Sequence, residues 1–228
     1  MFTPEELTTI ALSVRVATLA SLGALPLAIA VGWLLARRRF PGKALLDALV
    51  HLPLVLPPVV VGYALLVAFG SQGPVGRFLG QFGVELAFRW TGAALAAGIM
   101  GFPLMVRTIR LSIENVDRRL EQAAATLGAS PWRRFFTITL PLAWPGVVAG
   151  AVLGFAKALG EFGATITFVS AIPGETRTLS SAIYGLMQVP GGEAAIWRLA
   201  AVAVAISLVA LLASEWLVRR QRGAEDEP

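Results

Sequence analysis

The sequence predicts an all-α fold: a polytopic membrane bundle of about five transmembrane helices with one helical loop at its inner face. Three observations predict it. Of 228 residues, 56% are hydrophobic and only 14% charged, with a mean hydropathy of +0.72; a soluble domain carries about 25% charged residues. Five apolar stretches reach or approach the ~20 residues that a helix needs to cross a bilayer. The basic residues, finally, are distributed unevenly between the connections.

The first stretch runs from about Thr9 to Ala36, and Val16 to Ala36 holds no charge. A signal peptide starts basic and has a shorter apolar core; here Met1–Leu7 carries Glu5 and Glu6, and the arginines Arg37, Arg38 and Arg39 follow the run. The second stretch, about Ala44 to Phe69, contains Pro53, Pro57 and Pro58, which break or kink a helix. The third is about Trp90 to Val106. The fourth, about Trp144 to Val169, is interrupted by Lys157 and Glu161, and the fifth is about Ile196 to Val218. Gly70–Gly83 reads as an external loop with a short interfacial helix. Ile172–Gly192 reads as a second external connection, with turns at Pro173-Gly174 and Pro190-Gly191-Gly192.

Counted by side, thirteen Lys and Arg fall in the connection after span one, the connection after span three and the tail, against four on the other side: Arg77, Arg89, Arg177 and Arg198. The first group is therefore expected in the cytoplasm, the N-terminus outside and the C-terminus inside. This divides the chain into a short external N-terminus (1–8), a membrane domain (9–218) with a helical loop at about 114–141, and a cytoplasmic tail (219–228). No repeat of 20–50 residues is visible, which argues against a solenoid. Trp90, Trp144, Trp197 and Trp216 fall near expected span ends, as in an interfacial belt.

Composition narrows the chemistry. There is no cysteine and one histidine, His51, so thiolate chemistry, disulfides and multi-histidine metal sites are excluded. A lone histidine beside a Pro-rich segment reads as a packing residue. The net charge of +5 is explained by arginine on cytoplasmic loops, and no nucleic-acid partner is expected. The sequence has no G-x-x-x-x-G-K-[ST] phosphate loop, so it does not hydrolyse ATP by itself.

The connection at 107–143 carries most information. Asn115–Leu127 is helix-compatible, with Asp117 near its start and Leu120, Ala123, Ala124 and Leu127 at helical spacing. Gly128 suits a left-handed helix end. Ser130-Pro131 reads as an N-cap and first-turn proline, opening a second short helix, Trp132–Thr137. Pro141 and Pro145 are expected to end it and lead into span four.

The string Q-A-A-A-T-L-G, nine residues, I-T-L-P resembles the cytoplasmic EAA loop of bacterial ABC importer permeases. Gln122 stands at the usual Glu place, with Glu121 beside it; Ala123, Ala124, Gly128, Ile138, Leu140 and Pro141 match. The blocks G-E-F-G-A-T-I-T-F-V-S and I-P-G-E-T-R-T-L narrow the resemblance to the molybdate branch, over about residues 8–220. G-E-F-G-A also occurs in sulfate permeases, which leaves sulfate or tungstate as alternative substrates. The resemblance implies that the loop docks on an ATP-binding subunit. It also implies two copies of the chain, two ATP-binding subunits and a molybdate-binding protein outside, in a bacterial-type cytoplasmic membrane. No cofactor is expected on this chain; ATP is used by the partner.

Arg15, Lys157 and Glu161 lie in or near spans, where a charge costs roughly 2.5–3.5 kcal/mol and should face protein or water. Lys157 and Glu161, at i and i+4, read as a neutralising pair that fixes packing or as part of a gate. With Phe162 and Gly163 they form the candidate pathway, gate or packing group. Lys157 and Arg15 suit a dianion, whereas Glu161 repels it. Gly146, Gly150 and Gly154 form a small-xxx-small stripe, suited to core packing or a contact between copies. Two rival classes remain less favoured: a membrane-embedded enzyme lacks the needed His, Asp and Glu, and an ion-coupled transporter, with Glu161 as proton site, leaves the loop pattern unexplained.

Overall fold

The computed structural model describes the backbone of residues 2–225 and the side chains through Trp216. The described residues are helical throughout their regular structure. The elements are α1 (Pro4–Arg37), α2 (Lys43–Val55), α3 (Pro58–Phe69), α4 (Pro74–Gly80), α5 (Trp90–Asn115), α6 (Arg118–Thr126), α7 (Pro131–Arg134), a π-helical stretch (Phe135–Thr139), α8 (Leu140–Leu159), α9 (Gly163–Val169), α10 (Leu179–Leu186) and α11 (Glu193–Glu225). The side chains of the tail arginines Arg219, Arg220 and Arg222 lie outside the described residues.

The first helix starts earlier than hydropathy suggests. Thr3 and Glu6 form a reciprocal capping box and Pro4 occupies the first turn, so residues 4–8 are already helical and continuous with α1. Glu6 also accepts from Arg198 of α11 at 2.7 Å, tying the first and last helices together. At 34 residues, α1 is ~50 Å long and exceeds a ~30 Å hydrocarbon layer.

Among the described residues, four helices are long and apolar enough to cross a membrane: Pro4–Arg37, Trp90–Asn115, Pro131–Leu159 and Glu193–Trp216. The second expected span is a bent pair instead. Leu56 and Pro57 are extended, with ψ of 144° and 131°, and α2 and α3 diverge by 111°. The cause is steric: each proline removes a helical donor and disfavours helix in the residue before it. Span four is also revised. Helix continues from Pro131 to Leu159, through Pro141 and Pro145, and then breaks at Gly160 rather than running to Val169. A proline ring clashes with the carbonyl four residues back; for Pro141 that is Thr137, inside the widened π turn.

α5 is the central helix, flanked by α1 and α8. The small-residue stripe of α8 faces it. A Cβ on Gly154 would lie 2.6 Å from Met105 Sδ, and one on Gly150 would lie 3.1 Å from Ile109 Cγ1. The stripe thus serves packing within the chain. Two apolar cores result. One, at the loop end, gathers Leu35, Met105, Ile109, Ile113 and Val147. The other, at the far end, gathers Val16, Ala97, Met100, Phe168 and Leu179. There α10 is docked rather than free: Leu179 is buried and its backbone N–H donates to Ser13 Oγ at 2.7 Å.

Candidate functional site: the α6–α7 loop and the break after α8

The loop is built from local capping chemistry. Asp117 accepts from Arg119 N at 2.9 Å and starts α6. Gly128, with φ of +83°, ends it: Ala129 N donates to Ala124 O and Gly128 N to Ala125 O, a Schellman pair. Ser130 Oγ then accepts from Arg133 N and Pro131 opens α7. The loop proper is therefore 116–130, shorter than the 114–141 read from sequence, because α5 runs to Asn115 and the second helix is continuous with α8.

Its two faces differ. Gln122 and Ala123 are exposed, as is Gly128, while Ala124 is half-buried. Leu120, Leu127 and Trp132 stand out as large apolar side chains in solvent, Leu127 with 88% of its surface exposed. Glu121 points the other way. Its carboxylate pairs with Arg37 at 3.0 Å and accepts from Thr139 Oγ1 at 2.6 Å. Arg37, 6% exposed, also donates to Val116 O, and Arg118 donates to Ala36 O. So α6 is fastened both to α1 and to the π turn that leads into α8. Ile138 and Leu140 are half-buried beside this fastening and Pro141 is exposed.

The second candidate group sits at the far end of the same helix. Glu161 lies in the break past Leu159, not one turn up span four as expected. It still meets Lys157, Nζ to Oε2 at 2.5 Å, and its other oxygen accepts from Ala164 N in the first turn of α9. The Glu161 side chain is 1% exposed and that of Lys157 30%. Phe162 ends the break with its ring 4.8 Å from that of Tyr184. Gly163 abuts Pro58; a Cβ there would be 2.7 Å from Pro58 Cβ. The two interrupted helices, α2–α3 and α8–α9, therefore meet at their breaks. Arg15 is separate from this group: its guanidinium lies 3.7 Å over the Trp90 ring. His51 Nδ1 lies 2.8 Å from Asp47 O within α2, a packing contact.

Sequence reasoning missed Arg37, Arg118, Arg134 and Thr139 as partners of the loop. The available signal was a single carboxylate, Glu121, within the arginine-rich segment 118–134; nothing in the sequence singles out Arg37 from its two neighbours.

A helical bundle with interrupted helices and an exposed helical loop is the architecture of an integral membrane protein, and is one that transport components use. The chain belongs to the family described as binding-protein-dependent transport system inner membrane component, whose profile matches residues 28–223. It is a multi-pass inner-membrane protein. It is 59% identical over 223 residues, 97% of each chain, to the molybdenum transport system permease protein ModB of Escherichia coli (strain K12). It is 58% identical to the protein of that name from Haemophilus influenzae, over 95% of each chain. Among solved structures, the fold matches inward-facing conformations of the MetNI methionine ABC transporter, with a TM-score of 0.75 at 16% identity, covering 97% of this chain and 99% of the other.

Proposed function

We propose that this chain is the permease of an ATP-driven importer that carries molybdate into the cell by alternating access. The observation that carries this reading is the 59% identity, across 97% of both chains, with a permease named for molybdenum transport. Two copies would enclose the path, two ATP-binding subunits would dock on the α6–α7 loops, and a molybdate-binding protein would deliver the anion from outside. The exposed face of Leu120, Gln122, Ala123 and Leu127 is the docking surface.

The geometry suggests how force travels. A load on α6 passes through Glu121 to Arg37 on α1 and to Thr139 at the start of α8. The helix from Pro131 to Leu159 is 29 residues, ~43 Å long, and ends at the break holding Lys157 and Glu161. Closure of the ATP-binding subunits would tilt this lever and move the two helix breaks against each other. Interrupted helices beside a cavity are where transporters expose backbone and polar groups to cargo. Lys157, a third exposed, supplies positive charge for a dianion; Glu161 and Gly163 hold the break.

The test is uptake of labelled molybdate into vesicles containing the chain with its partners added back. ATP-dependent uptake that excess sulfate fails to compete supports the reading. Uptake independent of ATP, or equal for sulfate, overturns it.

A further inference from the structure

We propose that the loop end of the chain holds an anionic phospholipid, its phosphate among Arg38, Arg118 and Arg134 and an acyl chain in the groove between α1 and the α7–α8 helix. The headgroup site is a cavity of about 350 Å³ lined by Arg37, Arg38, Arg118, Arg134 and Glu121. Four guanidinium groups face one carboxylate there, and that carboxylate is already taken by Arg37 and Thr139. Arg38, Arg118 and Arg134 form no ion pair among the described residues; they reach only the Trp33 ring, Ala36 O and Glu121 O. The Nε atoms of Arg37 and Arg134 are buried and make no hydrogen bond. Two buried, unpaired Nε donors beside the exposed and half-buried guanidinium groups of Arg38, Arg118 and Arg134 leave an excess of positive charge that suits an anion.

A second cavity, of about 730 Å³, shares the Trp33–Arg38–Pro131–Phe135 wall with the first. Pro26, Ile29, Ala30, Trp132, Phe136 and Leu140 line it, almost wholly with apolar atoms. Along α1, Pro26 is ~16 Å from Arg37, at hydrocarbon depth if the arginines sit at the headgroups. A soluble ATP-binding subunit does not reach that far, and a free phosphate has no use for an apolar groove. A phosphate joined to an acyl chain fits both. Basic pockets between membrane helices on the cytoplasmic side are suited to lipid headgroups. The inference rests on the proposed bilayer placement of the loop end but not on the substrate.

The test is native mass spectrometry of the full chain, purified from detergent alone and with its ATP-binding subunit, and titrated with phosphatidylglycerol, phosphatidylethanolamine or glycerol phosphate. We expect one phosphatidylglycerol retained at least tenfold more tightly than phosphatidylethanolamine. Arg38→Gln and Arg118→Gln, both at exposed positions, should each weaken it about fivefold and together ~25-fold. Phe136→Ser should weaken retention of both lipids while leaving the preference between them. The proposal is overturned if the two lipids bind equally, or if the double variant, eluting as a folded monodisperse protein, keeps the preference. It is likewise overturned if glycerol phosphate competes at equal concentration, which marks a soluble-anion site, or if the ATP-binding subunit expels the lipid, which makes that subunit the occupant. Any of these leaves molybdate uptake, and hence the transport reading, separately measurable.

Discussion

Two ion pairs sit at opposite ends of the bundle, and each makes its own demand. Glu121 neutralises Arg37, which is almost buried; Gln122, beside it, faces solvent. Glu121→Ala leaves that guanidinium uncompensated, and about 2–4 kcal/mol of stability should be lost. Gln122→Ala should leave stability within ~0.5 kcal/mol, as surface changes do. Thermal unfolding in detergent compares them, and equal midpoints for the two variants would show that the Arg37 contact holds nothing. At the other end Lys157→Met strands the Glu161 carboxylate. Because Lys157 is a third exposed, about 1–3 kcal/mol is expected rather than the full value for a buried pair. Lys157→Met combined with Glu161→Gln should recover much of that loss, since the amide oxygen still accepts from Ala164 N. A double variant no better than the single would show that the pair is not electrostatic in origin.

At the scale of elements, caps and hydropathy were legible in the sequence, and distant contacts were not. The Gly128 turn, the Ser130 cap and the α2–α3 break follow from residues within a few positions of each event. The passage of helix through Pro141 was not legible, because a π turn five residues long holds the carbonyl its ring would strike and no local pattern announces it; Pro145 stays within regular α8, whose packing carries it. The Arg37–Glu121 pairing spans 84 positions and depends on how α1 lies against α6; only the docked fold selects one arginine of three. The Gly128 turn itself yields a matched test. Gly128 and Gly83 both have positive φ, +83° and +71°, and at neither would a Cβ meet an atom within 4 Å. Valine at either site therefore carries the same backbone strain, ~1–2 kcal/mol or more for a branched residue. Only Gly128→Val should also weaken copurification with the ATP-binding subunit or leave hydrolysis unresponsive to the loaded binding protein. Equal behaviour of the two variants would reduce the loop to a plain connector.

For the molecule as a whole, the open question is whether the bent pair crosses. A bend of 111° is compatible with a broken span or with a re-entrant loop, and the two give opposite placements for everything between α3 and the C-terminus. If α2–α3 crosses, Gln72 lies outside and the arginine-rich 116–134 segment lies inside, with Arg39. If the pair turns back, Gln72 stays on the side of Arg39, α5 carries the six basic residues at 107–134 to the outside, and the charge bias of thirteen against four all but vanishes, to eight inside against nine outside. The bias therefore favours crossing, with five spans, the N-terminus outside and the C-terminus inside. The cysteine-free chain permits a direct measurement. Single cysteines at Gln72, Pro173, Arg39 and Arg119, all exposed positions, are treated in intact cells with a membrane-impermeant thiol reagent. Labelling at Gln72 and Pro173 but not at Arg39 or Arg119 is expected. Labelling at Arg119 with none at Gln72 would make the pair re-entrant and put the proposed docking loop on the wrong side for an ATP-binding subunit.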